Sequence, residues 1–308
     1  MANSYGGQAL IEGVMMRGKR YQAMSARLED GRIVSEVEEF TLLSERYKIF
    51  GWPFVRGVFS MFDSLVSGMK AITWSTNVSL AADEEEEELT PMEIAITMTI
   101  SLGLGILLFF LLPVVIAHFL QPLIPGTFLQ NLFEGLVRVG VFLLYLVLIT
   151  RMKEIRRVFQ YHGAEHKTIH CYESGEALTP ENASRHSRLH PRCGTSFLFI
   201  VMAISIFVFA LVGVESFVWR LLSRVILLPV IAGISYEVLR FCGKHMDKGW
   251  VRVIAWPGMQ LQRLTTAEPD LSMLEVAIYS LQKVRAREED PALDPEYQTE
   301  DGEKKIEP

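Results

Sequence analysis

The sequence is short of cysteine and short of charge, and each shortage closes off a class of protein. Its three cysteines, Cys171, Cys193 and Cys242, are too few and too scattered for a disulfide framework. They fit the reducing side of a membrane better. Charged residues make up only 21% of the chain against 50% hydrophobic. Mean hydropathy is +0.24, less polar than a soluble protein of 308 residues would be. The net charge of -6 gives no basic footprint, so no nucleic-acid partner is expected. The opening MANSYGGQALIEG has no basic region followed by an apolar run and does not read as a signal peptide. Gly18-Lys19 is not followed by Ser or Thr, which excludes a phosphate-binding P-loop. There is no internal repeat.

What the chain does have is apolar residues gathered in blocks. Ile94 to Ala117 carries no charge and is long enough to cross a bilayer core. Pro113 is placed to kink it near its far end. A second span is expected from about Leu132 to Thr150, with Glu134 and Arg138 at helical i,i+4 spacing near its entry, able to pair or to reach the interface. Ser196 to Val214 and Val225 to about Phe241 give a third and a fourth, the last with Pro229 and Gly233 inside it. Arg220 and Arg224 fall in the short turn between them. Basic residues crowd Arg151 to Arg157, Arg185 to Arg192 and Arg240 to Arg252, and positive charge marks the cytoplasmic side. The sequence therefore reads as a mainly α, polytopic protein of the cell membrane, with about four transmembrane helices and both termini cytoplasmic.

The remaining stretches are soluble or interfacial. Residues 1–50 read as a cytoplasmic β-rich region. In it, Ala23–Leu28 and Arg32–Phe40 form a hairpin about Asp30-Gly31, a favoured tight turn. Gly6, Gly7 and Gly13 are expected at turns. Met15-Met16-Arg17 could line a site. Residues 51–82 form an amphipathic helix with Phe54, Val58, Phe62, Leu65 and Met69 on one face. It lies on the membrane or packs on the membrane helices. Residues 83–91 are an acidic linker, 92–150 hold the first two spans, 151–194 a cytoplasmic His/Glu/Cys segment, and 195–243 the other two spans. Residues 244–285 are a cytoplasmic C-terminal region, with an amphipathic helix from Asp270 to Val284 whose stripe is Leu271, Leu274, Ile278 and Leu281. Residues 286–308 are charged and aperiodic, hence expected disordered.

The chemistry concentrates between Tyr161 and Cys193. His162, Glu165 and His166 spell H-x-x-E-H. On a helix the two histidines share a face and can direct ring nitrogens at one metal. The glutamate is placed as general base toward the water that such a metal activates. His170 and Glu173 continue that face, and His190-Pro-Arg-Cys193 follows close behind. Imidazole ligands favour zinc among the divalent metals. A third ligand could come from Glu237, His190 or Cys193. Glu237 is a candidate because an ionisable group near the end of a span is costly unless it is paired or ligating; pairing with Arg240 or Lys244 is its other reading. His170, Glu173, His245 and Asp247 are candidate supporting groups around the ligands. If His190 and Cys193 both joined the two motif histidines, the site would be closed and structural; a catalytic zinc keeps one position open.

The stretches GGQALIEGVMMRG, YHGAEHKTIHCYE, LHPRCGTSF, SYEVLRFCGKH and QRLTTAEPD together resemble the YqhQ-like family of bacterial membrane proteins, over nearly the whole chain. That family is sometimes labelled as predicted metal-dependent enzymes. The resemblance implies that His162, Glu165, His166, Glu173, His190, Cys193 and Glu237 lie in signature blocks, and that His186 lies outside them. Two classes of function follow. One is a membrane-embedded metal-dependent hydrolase acting at the cytoplasmic interface on a membrane peptide or a lipid-linked compound. The other is a non-enzymatic assembly or scaffold protein, or a small transporter working as an oligomer.

Overall fold

A computed structural model describes residues 5–81, 90–212 and 216–291. The acidic run after Ala82 and the tail beyond Pro291 lie outside the described residues. The chain opens with an antiparallel meander: β1 (Gly6–Leu10), β2 (Gly13–Arg17), β3 (Tyr21–Arg27) and β4 (Ile33–Glu39), in the order β1-β2-β3-β4. The β3–β4 hairpin closes on the Arg27–Ile33 pair, with Gly31 at φ +91°, so the hairpin expected from Asp30-Gly31 is present. Gly6, Gly7 and Gly13 are not turn residues. They lie in strands, where the missing side chains of Gly7 and Gly13 admit close neighbours.

Twelve α-helices follow among the described residues. They are α1 (Leu43–Arg46), α2 (Val55–Ala81), α3 (Pro91–Ile106), α4 (Leu112–Phe119), α5 (Thr127–Ile149), α6 (Lys153–Ser174), α7 (Pro180–Ser184), α8 (Gly194–Ala210), α9 (Phe217–Ile226), α10 (Leu228–Lys244), α11 (Gly249–Thr265) and α12 (Leu271–Glu289). The last runs four residues into the segment expected to be disordered. The sheet is covered on both sides, because alternate strand residues point to opposite faces. Val14, Met16 and Ala23 meet Tyr161, Ala164 and Ile169 of α6 and Leu274, Ala277 and Leu281 of α12. Leu10, Met15 and Met24 meet Ala71 of α2 on the other face.

α3 and α4 are joined through a π turn, Leu107–Leu111. Met92–Phe119 and Thr127–Ile149 are each long and apolar enough to cross a membrane. α9 and α10 are bent by 41° and can be counted as one more span. That makes two or three candidate spans rather than four. α8 is apolar but has 17 residues, about 25 Å of helix, short of a hydrocarbon core of about 30 Å. Arg220 and Arg224 are not in a turn between spans. Both lie on α9 and are fully buried.

They point at Glu134 of α5. Its carboxylate accepts from Arg138 at 2.9 Å and from Arg224 at 3.0 Å through both oxygens. Arg224 also donates to Asn131, Arg220 to Gln130, and Arg138 to the Phe109 carbonyl in the π turn. The expected Glu134–Arg138 pair is therefore part of a larger buried network. The opposite face of α9 exposes Val218, Trp219, Leu222, Val225 and Ile226. This helix turns its polar side inward and its apolar side outward. α2 does something similar: Gly57, Gly68, Ala71 and Ser75 are buried while Phe62 and Leu65 are exposed.

Candidate metal centre

α6 begins directly after α5 and ends at Gly175, whose φ of +78° suits a left-handed cap. Nearly all of its middle turns are buried, and His162, Glu165 and His166 stand on one flank. A Cβ on Gly163 would lie 2.2 Å from the Ala267 carbonyl oxygen. The glycine therefore lets the chain leaving α11 run against α6, where Ala267 donates to the Phe159 carbonyl at 2.8 Å. That contact places the Thr265 carbonyl 2.8 Å from His162 Nδ1.

The Arg188 carbonyl lies 2.5 Å from His166 Nδ1. A carbonyl only accepts, so in both rings Nδ1 carries the proton and Nε2 keeps its lone pair. Metal-binding histidines are held in this way. Cys193 Sγ is 3.3 Å from His162 Nε2. The ligand atoms of His162, His166 and Cys193 all lie within 4.8 Å of one another. Burial keeps the His166 imidazole below its usual pKa, hence neutral and able to ligate. Cys193 is the N-cap of α8, and its sulfur accepts from the Thr195 N–H at 3.4 Å.

Glu165 stands beside this trio. One carboxylate oxygen is 3.9 Å from the Nε2 of His162 and 3.9 Å from that of His166. Burial pushes its pKa up to about 7, against the nearby His162 and a hydrogen bond from the Gly7 backbone. A Cβ on Gly7 would meet Glu165 Cγ at 2.9 Å, so the first strand rests directly on the carboxylate. A cavity of about 140 Å³ is lined by Gly7, His162, Glu165, His166, His190 and Cys193 among others. A neighbouring one of about 290 Å³ shares Gly7 with it and is lined by Met15 and Arg17.

His170, Glu173 and His190 form a second cluster, also within 4.8 Å, but its hydrogen bonds differ. The Arg192 N–H donates to His190 Nδ1 at 3.3 Å. That leaves the proton on Nε2, which faces Glu173 at 3.7 Å. His190 therefore offers a proton where the first trio offers lone pairs. His170 donates to the Leu189 carbonyl at 3.0 Å. The His190 Nε2–H and the Arg192 guanidinium hold the Glu173 carboxyl down to about 2. This cluster fits ordering of the His190–Cys193 loop, not ligation.

Of the three candidate third ligands, Cys193 alone joins the two histidines. Glu237 does not. It forms a bidentate pair with Arg56 at 2.7 and 2.6 Å and accepts from the Phe54 N–H. Arg240 acts on Glu237 only at longer range, beyond hydrogen-bond contact. His245 lies along Phe241, with Nδ1 2.9 Å from that residue's carbonyl, and is no part of the cluster. Gln262 of α11 is a residue the sequence did not single out. Fully buried, it grips both the N–H and the carbonyl of His190 at 2.8 Å and donates to Ser196. A glutamine in the run MQLQRL gives no motif, and Pro257 within α11 disguises the helix that carries it.

Fold and site together define a mainly helical protein with a small antiparallel sheet laid against α6, whose His162 and His166 meet Cys193 from the start of α8. Residues 52–287 match the family described as "Protein of unknown function (DUF1385)". The chain is 35% identical over 297 residues to "Uncharacterized protein YqhQ" of Bacillus subtilis (strain 168), covering 91% of this chain and 92% of that protein. It belongs to this family. No solved structure matches.

Proposed function

We propose that this protein is a metal-dependent hydrolase of the cell membrane, with both termini cytoplasmic and its site at the cytoplasmic interface. The observation that carries the reading is the orientation of two rings. His162 and His166 each donate Nδ1–H to a backbone carbonyl and turn Nε2 toward Cys193. Three ligands of this kind suit zinc and leave a position open. Bound there, a divalent metal would supply Lewis-acid activation of water and of the substrate's electrophilic group. Glu165, close to both rings yet outside the trio, serves as general base. Hydrolysis joins the water oxygen to the electrophilic atom and breaks that atom's bond to the leaving group. Glu165 takes one water proton and returns it to the leaving group. The other stays on the product hydroxyl. A carboxyl near neutral pKa suits this exchange.

The bilayer as partner is supported by α9. A helix with buried arginines and an exposed apolar face is stable where the surroundings are hydrocarbon and costly where they are water.

Elemental analysis of the detergent-purified protein beside His166→Ala is the test. About one equivalent of zinc, manganese or iron in the wild type, lost in the variant, supports the site. No metal in either after loading overturns it. Glu165→Gln separates enzyme from scaffold: it should retain metal and abolish turnover, whereas at a purely structural centre the change would retain metal with no turnover to lose.

A further inference from the structure

The site has a neighbour that the reaction above does not use. A cavity of about 320 Å³ lies at the C-terminal end of α10, lined by Arg192, Tyr236, Leu239, Arg240, Gly243 and Lys244. Its wall is the edge of Tyr236, the Leu239 side chain and the bare backbone of Gly243. A Cβ on Gly243 would lie 3.0 Å from Arg192 Cγ, so the glycine lets the arginine stem lie across the helix. Arg192 also lines the cavity that holds the His/His/Cys trio. The two cavities therefore share a wall residue.

The charge here is unbalanced. Glu237, the nearest carboxylate on α10, is taken by Arg56. Neither Arg240 nor Lys244 makes a hydrogen bond or close ion pair among the described residues. Arg192 is held by Glu173. Three cations against that one carboxylate leave two positive charges over an apolar floor. A phosphate monoester carries about -1.5 to -2 at neutral pH, and guanidinium forks match its oxygens. A carboxylate would neutralise only half of this. Phe241, next to Arg240 in the chain, is exposed, and its ring lies 5.7 Å from that of the exposed Trp250; this pair suits an apolar chain lying in the interface.

We propose that this cavity binds the phosphate of an amphiphilic substrate, with Arg240 and Lys244 on the headgroup and Arg192 turning it toward the trio. The inference rests on the hydrolase reading for its meaning, but the binding itself does not require the metal. It selects a phosphate-bearing lipid-linked compound over a membrane peptide as substrate class.

The test is native mass spectrometry of the full-length protein in neutral detergent, with dioleoyl phosphatidic acid, dioleoyl phosphatidylcholine or inorganic phosphate. Phosphatidic acid should be retained over phosphatidylcholine by about tenfold, and Arg240→Ala/Lys244→Ala should erase that preference while metal content stays constant. Both changed residues are exposed, so the fold is kept. Inorganic phosphate displacing the lipid and binding as well alone would support the phosphate site with a soluble ligand as its source. No preference, or one unmoved by the double variant, overturns the proposal. His166→Ala keeps the two readings apart. Lipid preference without metal would sink the hydrolase and keep this site; metal without lipid preference would do the reverse.

Discussion

The sheet with α6 and α12 and the bundle of α5, α8, α9 and α10 obey opposite rules. In the first, Leu274, Leu281 and Val284 are buried and, apart from Glu165 and Lys167 of α6, the charged residues reach solvent. In the second, Arg220, Arg224 and Glu134 are the buried groups, and Val218, Leu222 and Ile226 are exposed. The membrane reading proposed above accounts for the contrast by different surroundings. Water expels apolar surface, while hydrocarbon is indifferent to it and penalises unpaired charge. On that reading each region is well packed only in its own solvent.

This contrast can be attacked at four points, in descending size of effect. Glu134→Leu would leave three buried guanidiniums without their carboxylate. Loss of one partner from a buried network costs about 3–5 kcal/mol, and thermal unfolding in detergent should show it as a sharply lowered midpoint or no recoverable protein. Leu281→Ala, in the water-facing core, should cost about 2–5 kcal/mol through the cavity it opens, readable in the same assay.

Glu165→Gln should behave differently at two pH values in chelator-treated protein. The folded carboxyl keeps its proton up to about 7, while the ordinary value is 4.5. Stability is therefore undiminished below 4.5 and falls as pH rises through about 7, because the unfolded chain releases that proton more readily. The variant should gain on the order of 2–3 kcal/mol over wild type at pH 8 and nothing at low pH; equal shifts at both would contradict a buried, neutral Glu165. Last, Leu222→Ala on the outward face of α9 should stay within about 0.5 kcal/mol. A cost like that of Leu281→Ala would mean that this face is packed against protein.

The sequence made parts of this legible for local reasons. The H-x-x-E-H spacing and the Asp30-Gly31 hairpin are set by neighbours a few residues away, and both are found. The Glu134–Arg138 pair is likewise one helical turn. For Glu237 the sequence left ligation and pairing both open, because its partner, Arg56, is 181 residues distant and leaves no local trace. The third ligand could not be chosen from spacing: His190 and Cys193 are three residues apart, and only the Arg192 N–H on His190 Nδ1 divides their roles. α11 escaped notice because Val253, Ile254 and Trp256 face outward and Pro257 interrupts its pattern. Arg220 and Arg224 looked like loop charges because their carboxylate is on another helix.

Cys193 opens α8, whereas His162 and His166 stand on α6, 31 residues upstream in the case of His162. Synthesis runs from the N-terminus, so both imidazoles leave the ribosome before the sulfur does. The trio closes only when the first turn of α8 has been seated against α6. Cluster formation therefore reports that α8 has been seated against α6.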